Sequence, residues 1–380
     1  MKKIICICNT YYQLIMLVQM KRELWEGCQV DVLISDHSAN AAAVSKRLNS
    51  KAWFHSVSFV QTKHLDQKQS GKWKQIKSVL RAALSVGEPW RRPFEKEAYD
   101  SFFFFNISVS TLLLYYALCK VNPKLVCCCY EEGVFNYAAP QLHLLENRLS
   151  GRVRLIEKLR AIQGQSRLLP NVSAFYCMYP QLYQGPLVTK CIPHISAGER
   201  EVWDLLTDAF GLKEKEISYP QKYIYFSSIC DFEGGEPIGE LELIKEIAAL
   251  VGRENLMLKV HPRDDVNRFL REGLCVDENS NVPWEIIQMN YDFSNHVFLT
   301  ATSTGAISGL LELQQPIRTY FLYPLCKTEK NSIAQQSIAS LRIVMDKLQE
   351  NTALKNIHVI TKLKEILFVC RGIEEYVKKK

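Results

Sequence analysis

Several chemistries leave no trace in this 380-residue sequence. It has no CxxC pair and no Cys/His grouping at zinc-finger spacing, which argues against a structural zinc module. HExxH, DxD and Asp-rich loops are absent too, so no motif announces a catalytic metal. Neither a Walker loop nor a GxGxxG fingerprint occurs, so any nucleotide site is built in another way. With 17 glycines and 14 prolines the chain is too poor in both for a collagen-like or linker-dominated protein. No internal repeat of roughly 20–50 residues and no low-complexity tract is found.

Long apolar runs are also scarce, and the two that occur are decoys. Ile4–Cys8 follows Met1-Lys2-Lys3 as a signal peptide would, but it stops at Asn9-Thr10-Tyr11-Tyr12-Gln13 and no small-residue cleavage site follows. Phe102–Val121 has the length of a membrane span, yet Asn106, Ser108, Ser110 and Thr111 interrupt it. A strand over Phe102–Phe105 and a helix over Thr111–Lys120 fit it better. The expectation is a soluble, cytoplasmic protein.

What is present is globular. A hydrophobic share of 47% with 23% charged residues supplies ample core, and the length is that of two domains. The 13 cysteines are odd in number and three are consecutive (Cys127, Cys128, Cys129), so they read as buried, reduced thiols. A net charge of +7 favours anionic partners such as nucleotides, acidic glycans or a membrane face, without implying nucleic acid. Two stretches concentrate it. Residues 61–92 carry eight Lys/Arg against two acids, and residues 148–167 carry six against one. They are either solvated helix faces or a surface for an anionic acceptor or the inner membrane leaflet, with peripheral association.

Along the first half, strand-like and helix-like segments alternate: Ile4–Cys8, Leu14–Leu24, Gln29–Ser35, Ala41–Leu48, Phe54–Val60, then the short buried-strand runs Phe102–Phe105 and Leu125–Tyr130. This βαβα rhythm predicts a doubly wound α/β domain over 1–185. Prolines break the pattern near 170–222, and the interdomain connection is placed at 186–222. A second α/β domain follows over 223–340, with strands at Tyr223–Ser227, Leu256–Val260, His296–Leu299 and Ile317–Leu322, and helices at Leu241–Val251 and Gly305–Leu313. Residues from Ser332 onward, including 341–380, read as helical.

In open α/β sheets ligands bind beyond the carboxyl ends of the strands, which selects five places. Asn9, Thr10 and Gln13 follow the first strand and offer amides and hydroxyls, or merely cap a helix. Glu131 and Glu132, before Gly133, put adjacent carboxylates at a strand end, where one could take a proton from an acceptor hydroxyl. Asp231 follows the second domain's first strand, ahead of a Glu233-Gly234-Gly235 loop that could touch phosphate. His261 is fixed in extended backbone by Pro262 and has Arg263 beside it, a pairing suited to a departing phosphate. Thr302, Ser303 and Thr304 precede a helix and form a ready anion site; upstream, Trp284-Glu285 offers a carboxylate for a ribose. Together they describe an enzyme that handles a nucleotide-linked donor without a metal, the departing phosphate being met by protein donors.

The order of these motifs resembles bacterial sialyltransferases of the two-domain GT-B fold, above all glycosyltransferase family 52, the lipooligosaccharide sialyltransferases, with bacterial polysialyltransferases as cousins. The resemblance runs from Asn9 to about Leu311, with spacings of 30 residues from Asp231 to His261, 24 to Glu285 and 18 to Ser303. It implies two Rossmann-like domains facing a central cleft and an inverting transfer of sialic acid from CMP-sialic acid to a galactose-terminated glycan of a lipooligosaccharide or capsule. It also implies no cofactor and no metal. By the resemblance His261 assists departure of CMP, and Glu131, Glu132 or Asp231 is the general base. Glu285 holds the ribose, and Ser303 and Thr304 bind phosphate. Asn9, Thr10, Gln13, Pro262, Arg263 and Trp284 complete the donor site. Glu-Glu where the family commonly has Asp-Asp changes the reach of the base by one methylene. CDP-glycerol glycerophosphotransferases and Kdo transferases share the HP-type histidine and are the rival enzymes. A non-catalytic nucleotide- or glycan-binding protein is the rival of another class. A homodimer is compatible with the sequence; acceptor and linkage are open.

Overall fold

The computed structural model describes residues 1–67, 97–133, 149–196, 198–212, 217–280, 282–312, 317–348 and 355–366, with positions 73, 77, 79, 83, 137 and 315. Most of the basic stretch 61–92 and the Lys-rich tail lie outside them. The chain divides into two compact units: Met1–Glu132, Ala139–His194 and Arg200–Lys213 form the first, and the second comprises Gly133–Ala138, Ile195–Glu199 and Glu214–Lys380.

The first unit is one parallel sheet of seven strands: β1 (Lys3–Cys8), β2 (Gln29–Ser35), β3 (Ser56–Val60), β4 (Ser101–Phe104), β5 (Val126–Tyr130), β6 (Val172–Cys177) and β7 (Val188–Cys191). They lie in the order β3-β2-β1-β4-β5-β6-β7. The central strands are near-continuous apolar runs because helices cover both faces of such a sheet. The helix Tyr11–Glu23 is buried at every position from Gln13 to Met20, and Val109–Val121 at every position from Val109 to Tyr116 and at Leu118. That enclosure accounts for the second apolar decoy: its hydrophobic surface is satisfied by protein. No helix among the described residues is long and apolar enough to cross a membrane.

The second unit has six parallel strands: β8 (Tyr223–Phe226), β9 (Leu256–Lys259), β10 (Cys275–Val276), β11 (Val297–Thr300), β12 (Arg318–Phe321) and β13 (Ile357–Val359), ordered β10-β9-β8-β11-β12-β13. Its core joins Tyr225, Ile244, Leu258, Phe269, Leu299 and Leu322 from strands and helices alike. Counted within each unit, the order begins 3-2-1-4-5-6 in both, the Rossmann winding, with the reversal between β1 and β4 and between β8 and β11. Both Rossmann-like halves that a GT-B chain requires are therefore present.

Two sequence expectations need correction. The stretch 186–222 is no bare connection: it carries the edge strand β7 and the helix Arg200–Ala209, both within the first unit. The chain beyond Ser332 is not wholly helical, since β13 follows the helix Ser332–Lys347 and closes the second sheet.

Candidate active site

The carboxyl edge of the second sheet gathers most of the expected donor residues. Beyond β9, the backbone N–H of His261 donates to Ser227 Oγ (2.9 Å), which follows β8. The imidazole Nδ1 accepts from the Arg263 N–H at 3.2 Å. Nδ1 is thus the acceptor nitrogen, and Nε2 carries the proton and has no partner among the described residues. Burial, helped by the Arg263 charge, pushes the imidazole down to about 4, so it is a neutral hydrogen-bond donor at physiological pH. Beyond β11, Thr300 Oγ1 donates to Phe226 O (2.9 Å) and accepts from Ser303 N (2.8 Å), which folds the chain into the start of the helix Gly305–Glu312. The Ser303 and Thr304 hydroxyls, half-buried at that turn, have no hydrogen bond among the described residues. Ser303 and Thr304 thus follow β11, which flanks the reversal, and His261 follows β9, the next strand beyond β8, all at the carboxyl edge where open α/β sheets bind ligands.

The neighbouring charged groups are committed elsewhere. Arg263 pairs with Glu233 (3.0 Å) rather than standing open beside the histidine. Pro262 is exposed and serves to fix the turn. Lys259 bonds Asp277 Oδ2 at 2.9 Å and the carbonyls of Asn279 and Val282, clamping the loop ahead of Trp284. Trp284 is core: its ring packs against Tyr219, Phe226, Phe293 and Phe298 and is 5% exposed, so the expected donor contact is replaced by packing. Glu285 is buried as well. Desolvation raises its carboxyl, opposed by a hydrogen bond from Ser308 and the charge of Lys259.

Asp231 is a cap, not an open base. Its Oδ1 accepts from the N–H groups of Gly239 (3.0 Å) and Glu240 (3.1 Å), and Oδ2 from Leu241 N (3.3 Å) and the Arg268 guanidinium (2.9 Å). It thereby satisfies the first turn of the helix Glu240–Val251 from nine residues upstream. The Gly234-Gly235 loop is explained by packing rather than phosphate. At Gly235 φ is +137° and an added Cβ would meet the Lys330 carbonyl at 2.2 Å, while buried Asn331 Nδ2 donates to the carbonyls of Cys230, Glu233 and Glu236.

The first unit finishes its own edge differently. Thr10 caps the helix Tyr11–Glu23, accepting from Gln13 N. Asn9 Oδ1 accepts from Ser35 Oγ (2.8 Å), Asn9 Nδ2 donates to Asn106 Oδ1 (3.2 Å), and Asn9 N donates to Gln13 Oε1 (2.7 Å). Asn9, Thr10 and Gln13 therefore form a network within the first unit, while His261, Glu285, Ser303 and Thr304 belong to the second. Glu131, 1% exposed, accepts from the Tyr12 hydroxyl (2.8 Å) and from Met178 N (3.0 Å). Glu132 is partly exposed.

The residue that sequence reasoning missed is Glu240, a fully buried carboxylate behind the β8 loop. An acid in the first turn of a helix is ordinary in sequence, so nothing marked it.

No protein-family model matches the chain, and no curated protein does. Among solved structures it is similar to a Streptomyces glycosyltransferase complexed with thymidine diphosphate (13% identity, 100% of this chain and 93% of that one, TM-score 0.48). It is similar also to an α/β-galactoside α-2,3-sialyltransferase of the luminous marine bacterium Photobacterium phosphoreum (13%, 95% and 99%, TM-score 0.45). A third is MurG of Acinetobacter baumannii (10%, 98% and 90%, TM-score 0.43). The assignment of two Rossmann-like halves rests on the strand orders themselves.

Proposed function

We propose that this chain is a glycosyltransferase that moves sialic acid from CMP-sialic acid to a galactose-terminated surface glycan. The observation that carries the reading is the set of donors left uncommitted among the described residues at the carboxyl edge of the second sheet: His261 Nε2–H after β9 with the Ser303 and Thr304 hydroxyls after β11. The order of motifs along the chain supports CMP-sialic acid as the donor.

In this reading an acceptor hydroxyl attacks the anomeric carbon, and the bond from that carbon to the phosphate oxygen breaks with its electron pair leaving on CMP. Charge grows on the phosphate, where His261 Nε2–H and the two hydroxyls donate to it. The neutral imidazole suits that task, since it donates without first having to bind a proton from solvent. Of the three carboxylates considered for the base, Glu131 is buried and Asp231 caps a helix, and this reading assigns the role to Glu132 on its partial exposure. One displacement inverts the anomeric centre. No metal takes part in this scheme.

Incubation with CMP-sialic acid and a panel of labelled galactosides tests it, with CMP-Kdo and CDP-glycerol run in parallel. Acceptor-dependent CMP release with a sialylated product supports the reading. Transfer from either other donor alone refutes the donor assignment, and absence of transfer from all three refutes the enzyme.

A further inference from the structure

Glu240 sits at the start of the helix Glu240–Val251 with no exposed surface, and every group that bonds it is neutral. Both its oxygens accept from Ser228 N (3.1 and 3.0 Å), Oε2 also from Ser228 Oγ (2.8 Å), and Oε1 also from the Tyr225 hydroxyl (3.1 Å). Helix capping does not explain it, because Asp231 already accepts from the N–H groups of Gly239, Glu240 and Leu241. Ion pairing does not either: the nearby guanidinium of Arg268 is bonded to Asp231 and Asp264.

The partners show what the carboxylate does. Ser228 lies in the loop after β8, next to Ser227, whose hydroxyl accepts from His261 N. Ser228 Oγ in turn accepts from Cys230 N (3.3 Å), and Cys230 Sγ lies 3.5 Å from Thr302 Oγ1. The Tyr225 hydroxyl also faces the Ala301 backbone in the loop after β11. One side chain is therefore bonded to the loop after β8 and, through Tyr225 and through Ser228 and Cys230, reaches the loop after β11.

We propose that Glu240 is a positioning residue, which sets the loops 227–231 and 300–304 relative to each other and so places His261, Ser303 and Thr304 for the donor phosphate. The clause that these groups meet a phosphate rests on the function proposed above; the setting of the two loops does not. Three donors converge on it, the Ser228 N–H being shared by both oxygens, an arrangement that suits a group that only accepts, the ionised carboxylate. Burial raises its pKa to about 7, with the bonds from Ser228 and Tyr225 opposing and Asp231 adding to the rise. The titratable groups facing it are Tyr225 from β8, Cys230 and Asp231 from the following loop, and Cys326 after β12. A carboxyl whose folded pKa lies above its unfolded value costs stability once ionised: the cost develops between about 4.5 and 7 and is complete above 7. Its ionised form therefore opposes folding while ordering the loops.

The test uses Glu240→Gln and Tyr225→Phe in the full chain, read by amide hydrogen exchange, urea unfolding, CMP titration and the pH profile of transfer. Glutamine has one acceptor oxygen for three donors, so exchange should quicken in both loops while unfolding at pH 8 shows no loss of stability. Turnover should fall roughly 10–100-fold, the scale of a small misplacement of reacting groups, with KM changing far less. In the wild type kcat/KM should rise with pH through about 7, and in Glu240→Gln that limb should vanish. Tyr225→Phe removes both the bond to Glu240 Oε1 and the contact with Ala301 while leaving the Ser228 bonds in place, so it should quicken exchange chiefly in 300–304 and decides the matter even if Glu240→Gln fails to fold. Unchanged exchange in both loops overturns the proposal, whatever the substrate is. Quickened exchange with normal CMP binding and turnover overturns the link to the donor site. Absence of sialyl transfer in the wild type refutes the earlier reading and leaves the exchange result to judge this one.

Discussion

At the strand reversal of the first unit, Asn9 and Asn106 bond each other across the end of β1 and β4, and Ser35 and Gln13 close the rest. At the carboxyl edge of the second, two hydroxyls after β11, beside the corresponding reversal, and the imidazole Nε2 after β9 are left with no partner among the described residues. The winding is the same and the edge chemistry is not. Amide pairs satisfy each other and need no ligand, whereas open N–H and O–H donors are left to water or to an acceptor ligand. The second edge also keeps its cations paired: Lys259 with Asp277, Arg263 with Glu233, Arg268 with Asp231 and Asp264. Beside these pairs, the groups left open after β9 and β11 among the described residues are dipoles rather than charges.

The sharpest way to break the comparison is to exchange carboxylates between roles. Glu132→Gln should cost turnover roughly 10²–10⁴-fold, the contribution of a positioned proton transfer. Glu131→Gln and Asp231→Asn should act mainly through stability, because their oxygens are held by Tyr12 and Met178, and by a helix terminus and Arg268. Paired urea unfolding and initial-rate measurements separate the two classes. A large kinetic loss in Asp231→Asn without a loss of stability would undo the division.

Next in size is the histidine. His261→Ala should lower turnover at least about a hundredfold while CMP binding weakens much less, since the Ser303 and Thr304 hydroxyls remain. Its titration sharpens the point. The imidazole should protonate near 4 in the ligand-free protein, so an NMR titration between pH 5 and 8 should show one neutral form with the proton on Nε2. The sign follows from burial: folding lowers the pKa of a base, so His261 lowers stability only as pH falls below its unfolded value near 6.5. A midpoint near 6.5 in the folded protein would show an exposed, ordinary imidazole.

How much of this was legible in the sequence depended on burial. The central strands β1, β2, β4, β5, β8, β9, β11 and β12 announced themselves as short apolar runs because both faces are covered. The edge strand β7 (Val188–Cys191) is largely exposed, β10 has two residues and β13 three, so none carries that signature. His261 was legible because a proline after a strand fixes the residue before it. The cap made by Asp231 was not legible, since a bond reaching from Asp231 to Gly239 crosses a loop whose path only the fold defines. Trp284 was drawn into the site by its neighbour Glu285, but an aromatic side chain among Tyr219, Phe226, Phe293 and Phe298 gains more by packing.

A smaller effect distinguishes the loops of the two units. Gly235→Ala should destabilise by on the order of 1–3 kcal/mol or more, because the strained φ of +137° is joined by a clash with the Lys330 carbonyl. Gly27→Ala in the first unit meets nothing within 4 Å and carries only the left-handed penalty of about 1–2 kcal/mol. Urea unfolding of both variants reads the difference. Equal losses would mean that the 330–332 backbone yields to the added methyl group.

The smallest effect expected is also the one that bears most directly on how the second edge treats an anion. Arg263 stands beside His261 in sequence, and a guanidinium there invites the reading that it grips phosphate. In the folded chain it pairs with Glu233, both side chains being well exposed, an arrangement that contributes less than about 1 kcal/mol. Arg263→Ala should therefore leave stability nearly unchanged and turnover within a few-fold of wild type. It should also lift the His261 pKa slightly, because the charge that opposes imidazole protonation is gone. The backbone N–H that holds Nδ1 survives the substitution, so the tautomer is kept. A loss of a hundredfold in turnover, with the fold intact, would mean that the guanidinium leaves Glu233 for the departing phosphate. The edge would then work by free charge after all, and the contrast drawn with the first unit would fail at its central point.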